Sequence, residues 1–151
     1  MAAVGAAAEV PVAAAVTVAA VAAGTLTEHE AVMAVSPTVV EAALHAQFDG
    51  RGTAIATGIG ASPGAAVGQV YFDVEGCLDG ADRGELVILA SNETSPADEI
   101  AMRMAEGIIT AKGGIASHAA VVARGWGIPA VCGANSLTFS DGLMHTGGET
   151  I

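Results

Sequence analysis

Lys112-Gly-Gly-Ile-Ala-Ser117-His118-Ala-Ala-Val-Val-Ala-Arg124-Gly-Trp-Gly-Ile-Pro-Ala-Val-Cys132-Gly-Ala134 contains a chain break, a helix start, a helix stop and a strand, in that order. The run before it, Gly107-Ile-Ile-Thr-Ala111, is short, apolar and rich in β-branched residues, so it reads as a buried strand that Gly113-Gly114 interrupts. Ser117 is a good N-cap. The apolar run Ala119 to Ala123 follows as a short buried helix, and Arg124-Gly125 reads as its cationic, glycine-terminated end. His118 therefore falls in the first turn, where unpaired amides and the positive end of the helix dipole favour an anion. A neutral imidazole is a competent nucleophile near neutral pH. These residues suit a histidine that takes up a phosphoryl group beside a glycine loop. They suit equally a histidine that merely caps or hydrogen-bonds, and local features leave both open.

The same residues, Gly113-Gly-Ile-Ala-Ser-His-Ala-Ala-Val-Val-Ala-Arg-Gly125, resemble the phosphohistidine signature of the phosphoenolpyruvate (PEP)-utilising enzymes. Two further segments match the dikinase branch of that family in order and spacing: Glu93-Thr94-Ser95-Pro96, and Ala65-Ala66-Val67-Gly68 within Ala61 to Phe72. The resemblance covers residues 54 to 151 well and 12 to 50 weakly. It implies an α/β fold, the swivelling β/β/α phosphohistidine domain, preceded by a short α-helical connector. It also implies a phosphoryl carrier of the pyruvate, phosphate dikinase type, in which His118 accepts the β-phosphoryl of ATP and the domain swings to deliver it to pyruvate. Covalent capture on a side chain suits two half-reactions that need incompatible surroundings. Gly113 and Gly114 would let backbone approach the phosphoryl group, Thr110 and Ser117 would donate hydrogen bonds, and Arg124 would offset charge.

The resemblance implies no cofactor or metal held by this domain itself, with magnesium and ATP required by the full system. The partners it implies are ATP-binding and PEP/pyruvate-binding domains on other chains, because 151 residues cannot hold them. A fragment, a separately encoded carrier and a decayed remnant acting only as an interaction module all stay open. Two positions depart from the dikinase pattern. Ala116 stands where a regulatory threonine is common, and Ser91-Asn92 stands where an Arg-Pro pair is expected, which removes a cation near the phosphoryl group.

Composition sets the outer limits. A net charge of −11, with five Lys plus Arg against sixteen Asp plus Glu, argues against nucleic acid and anionic membrane as partners. Two cysteines make no disulfide framework, and Cys132 in an apolar run reads as a reduced buried thiol, in keeping with a cytoplasmic location. The first 24 residues are mostly alanine and valine without flanking Lys or Arg, a pattern of a helix over Val12 to Ala23 and not of a signal or membrane span. Thr27 with Glu30 forms a capping box opening a helix through Val35, and Pro37 starts another through His45.

Asp49-Gly-Arg-Gly52 marks a boundary, giving a helical segment and connector over 1–51 and a second domain over 52–151. Within the latter, strands are expected around Val67 to Asp73, Leu86 to Ala90 and Pro129 to Cys132. Glu75 to Glu85 reads as an acidic surface loop. Ser95-Pro96 opens a helix to Glu106 with Ile100, Ala101 and Met104 facing inward.

Overall fold

A computed structural model describes residues 2–6, 12–48, 53–140, 142–147 and 149–150 of the protein. The chain divides into two compact units, Ala8–Ala46 on the one hand and Met1–Ala7 with Gln47–Ile151 on the other. The boundary motif at residues 49–52 lies outside the described residues.

The smaller unit is helical: α1 (Val12–Ala22), α2 (Glu28–Ala34) and α3 (Pro37–Ala43). Thr27 caps α2 as its sequence requires. Its side chain accepts from the Glu30 amide at 3.2 Å, while the Glu30 carboxylate accepts from the Thr27 amide at 2.9 Å. The hydrogen bond from the Thr27 amide, then that from its hydroxyl, lowers the pKa of the Glu30 carboxyl from its ordinary range.

The larger unit is built on a six-stranded sheet in the order β1-β3-β4-β5-β6-β2. Its strands are β1 (Ala2–Ala6), β2 (Ile59–Ser62), β3 (Gly64–Tyr71), β4 (Val87–Ser91), β5 (Gly107–Thr110) and β6 (Ala130–Cys132). The four central strands, β3 to β6, are parallel, and β1 and β2 lie antiparallel at the two edges. Parallel neighbours need crossovers. These are supplied by α4 (Val74–Asp82), α5 (Glu99–Met104) and α6 (His118–Trp126). A second sheet, β7 (Leu137–Ser140), β8 (Leu143–Thr146) and β9 (Glu149–Thr150), is antiparallel throughout.

The period-two alternation of strand side chains divides the core between the two faces of the large sheet. Val87, Leu89 and Ile108 point to one face, where they meet Cys77, Ala101, Met102 and the α6 alanines Ala119, Ala120 and Ala123. Ala90, Val70 and Ile109 point to the other, against Leu137, Phe139 and Met144 of the small sheet. Phe72 and Phe139 stack there with centroids 5.6 Å apart. Burying side chains such as Leu89 and Ile108 stabilises the fold by about 1.5–3 kcal/mol each. The result is the α/β, three-layer arrangement that the sequence implied.

Four local expectations change. Residues 75–85 are not a loop: Asp73 caps α4 by accepting from the Gly76 amide at 2.7 Å, and Cys77 and Gly80 face the core while Glu75, Asp79 and Asp82 stay exposed. In α5 the inward residues are Ala101 and Met102. Ile100 and Met104 lie 66 % and 49 % exposed, because α5 is six residues long and its phase is set by the strand entered at Gly107. The α6 helix runs through Gly125 and stops at Gly127, which takes the left-handed conformation (φ 70°). Residues Ala2–Ala6 form a strand paired with Gly64–Gly68, although alanine composition gave no sign of it.

Candidate functional site

The site is assembled where β4 and β5 end and α6 begins. The ladder between the two strands continues past their ends, with the Ala111 amide donating to Ser91 O at 3.0 Å and the Lys112 amide to Asn92 O at 2.9 Å. On the other side the Ala134 amide donates to Thr110 O at 3.0 Å. The loop that follows is thus pinned at its root. Gly113 turns it at φ 100°, and a Cβ there would fall 2.9 Å from the Ser117 Cβ, so only glycine fits. Its carbonyl packs so close to Gly133 that a Cβ on the latter would lie 2.6 Å from the oxygen. The Ser117 amide then donates to Gly114 O at 2.9 Å, and the Ser117 Oγ accepts from the Ala120 amide at 3.4 Å. That is the N-cap expected from the sequence, and it places His118 as the first residue of α6.

His118 lines a recess of ≈ 60 Å³, together with Glu93, Thr94, Thr110, Lys112, Ser117 and Ala119. A single water needs about 10–15 Å³ measured this way, so a group of several heavy atoms fits. The His118 side chain is 23 % exposed. Its Nδ1 is buried without a hydrogen-bond partner, as is the Thr94 hydroxyl of the same recess. Its Nε2 lies 3.4 Å from the Glu99 Oε1. Of the two ring nitrogens Nδ1 is thus closed off, and Nε2 is the one that faces the half-exposed Glu99 carboxylate.

Of the residues singled out from the sequence, His118, Thr110 and Ser117 converge on the recess. Their hydroxyls are not equivalent. Thr110 already donates its proton to Lys112 O at 2.7 Å, leaving its oxygen as an acceptor, whereas Ser117 accepts from the backbone and keeps its proton to donate. Gly113 and Gly114 shape the loop but do not line the recess, and Gly114 faces open space. Arg124 is elsewhere. Its guanidinium donates to Ala120 O at 3.0 Å and to Ile115 O, so it ties the loop to the helix instead of facing the recess.

Four site members carry no role in the sequence reading: Thr94 and Glu93 stand in a quoted motif, Lys112 only opens the quoted stretch, and Glu99 gives no sequence signal at all. Among the described cations, Arg83 is bound to Glu85 and Tyr71, Arg103 lies over Trp126, and Arg124 holds backbone; Lys112 is the one that lines the recess.

The family model of the PEP-utilising enzyme, mobile domain, matches residues 84–150. Pyruvate, phosphate dikinase 2 of Oryza sativa subsp. japonica is 43 % identical over 122 residues, covering 78 % of this chain and 14 % of that protein. The pyruvate, phosphate dikinase of Rhizobium meliloti (strain 1021) is 44 % identical over 116 residues, 76 % of this chain and 13 % of the relative. That of Clostridium symbiosum is 41 % identical over 133 residues, 84 % of this chain and 15 % of the relative. The chain thus spans about one seventh of the length of these relatives. Among the described residues no helix is long and apolar enough to cross a membrane, and no group of three or more His, Cys, Asp or Glu is placed to hold a metal ion.

Proposed function

We propose, given that this chain belongs to the PEP-utilising enzyme family and carries its mobile domain, that His118 is a phosphoryl carrier. The phosphoryl group would pass between ATP and pyruvate/phosphoenolpyruvate sites on other domains or chains, as in a pyruvate, phosphate dikinase. The observation that carries this reading is the placement of His118, which lines a recess at the start of a capped helix with Ser117, whose hydroxyl keeps a proton to donate, and Lys112 as neighbours in the same lining.

Each neighbour has a part. Attack by Nε2 requires the ring proton on Nδ1, and the Thr94 oxygen, buried and partnerless on the same recess, is the acceptor that would hold it there. Ser117 donates to a phosphoryl oxygen, the first-turn amides of α6 add their dipole, and Lys112 offsets the charge. Arg124 keeps the loop closed onto the helix. Magnesium and ATP belong to the complete system; this chain supplies the nucleophile and its surroundings. Its working location in this reading is the cytoplasm.

The test is phosphoryl transfer in trans. The chain is incubated with labelled ATP and a dikinase whose own active histidine has been replaced. Acid-labile, alkali-stable label that disappears in His118→Ala supports the carrier. No label on the wild-type chain refutes it and leaves a non-catalytic interaction module or a decayed dikinase fragment.

A further inference from the structure

Nδ1 of His118 is sealed, so any phosphoryl group must form its bond at Nε2, and that nitrogen is occupied. Glu99 Oε1 lies 3.4 Å from it. Resting on the carrier reading above, we infer that Glu99 is a gate on the nucleophilic nitrogen: with its carboxylate against Nε2 the site is closed, and phosphoryl uptake requires that carboxylate to swing aside.

Two effects close the gate. A carboxylate accepts only, so its contact with Nε2 favours the tautomer carrying the proton there, and that tautomer has no lone pair at Nε2 to attack with. Its negative charge also sits against the one ring nitrogen left to bond phosphorus and repels anionic phosphoryl oxygens that approach it, beside a recess lined by Glu93 and Lys112. Opening is sterically simple. Glu99 is the first residue of α5, its side chain is 47 % exposed, and among the described residues its carboxylate has no partner except His118. The backbone beneath it is fixed by the preceding turn, where the Ser95 amide donates to Asp98 at 2.6 Å, so the side chain alone moves. With the gate open, the Nε2 lone pair forms the N–P bond as the bond from phosphorus to the donor's leaving atom breaks. That atom, oxygen in ATP and the already protonated nitrogen that departs as ammonia in phosphoramidate, keeps the electron pair, and the ring proton stays on Nδ1.

Phosphoramidate, a small donor that needs no partner domain, is the probe. The full chain is compared as wild type, Glu99→Ala, Glu99→Gln and His118→Ala, and the His118 tautomer is read by long-range 1H–15N NMR at pH 8, above the ordinary histidine range. Losing a contact with one exposed carboxylate predicts acid-labile labelling about two to five times faster in Glu99→Ala, with Glu99→Gln intermediate and His118→Ala blank. The ring proton should move from Nε2 towards Nδ1 in Glu99→Ala. A residue that merely supported the fold would slow labelling when removed. Labelling no faster in Glu99→Ala than in wild type, with His118→Ala blank, overturns the gate and leaves the carrier standing. If the wild type takes no label, the carrier reading falls, and the tautomer decides the gate: a moved proton supports it and an unmoved one overturns it.

Discussion

Replacing Gly133 by alanine strikes the His118 loop from behind, at a residue that touches neither the ring nor the recess. Gly133 sits at φ 67°, which costs an ordinary residue about 1–2 kcal/mol. The new Cβ would also lie 2.6 Å from the Gly113 carbonyl oxygen. That oxygen has little room to retreat, since the Gly113 backbone runs so close to Ser117 that a Cβ on Gly113 would fall 2.9 Å from the Ser117 Cβ. Overpacking of this kind adds about 1–3 kcal/mol, so Gly133→Ala should destabilise by about 2–5 kcal/mol. Gly84→Ala is the control: it has φ 79° and nothing within 4 Å, and should cost only the conformational 1–2 kcal/mol, roughly. Urea unfolding of the full chain, with unchanged denaturant dependence, measures the difference. Labelling of His118 should fall in Gly133→Ala and stay at the wild-type level in Gly84→Ala. Equal stability losses with equal labelling would show that Gly133 is needed only for its backbone angle and that the loop is not braced through it.

Thr94→Val removes a buried hydroxyl that has no partner in the resting protein, so stability should hold or rise, while His118 labelling drops about two- to tenfold if that oxygen holds the Nδ1 proton. Unchanged labelling would remove Thr94 from the mechanism. Arg124→Leu should lower stability by about 1–2 kcal/mol through two lost backbone hydrogen bonds and speed amide exchange at residues 115–117; intact exchange with abolished labelling would put the guanidinium on the phosphoryl group instead. Burial, then the Asp73 carboxylate, raises Cys77 from 9.0 to about 11. The folded state therefore keeps the thiol protonated while the unfolded thiol ionises. Its stabilising contribution is whole below pH 9 and declines as pH rises toward 11. Urea midpoints should fall across that window, and the fall should be shallower in Cys77→Ala.

The parts of the site that are local in sequence were legible. Ser117 caps α6, Thr27 and Glu30 box α2, and Ser95 with Asp98 opens the turn before α5, because each depends on residues three apart. What escaped depends on distant residues or on competing signals. Gly125 reads as a helix stop, yet Trp126 one residue on packs against the core and carries Arg103 over its ring, so the helix continues to Gly127. Arg124 reads as a recess cation, yet the Ile115 carbonyl that captures it is brought near only by the folded loop. Glu99 meets His118 across nineteen residues of sequence, and no spacing rule reaches that far. The β7–β8 pairing is absent from the sequence expectations, although Asp141-Gly142 between alternating runs is a signal that would have pointed to it, and Ser140 pairs with Leu143.

The fully buried positions of α6 are Ala119, Ala120 and Ala123, and Val122 and Trp126 pack against the same core beside them. Methyl groups at the three buried positions let the helix lie close to the strands. A longer side chain at any of the three would act as a shim, tipping the whole cylinder and carrying the imidazole at its tip outward. Such a change would leave every residue around the recess intact and still misaim the nitrogen. Exchanges at these plain methyl positions therefore tune the reach of His118, even though none of the three is a reactive group.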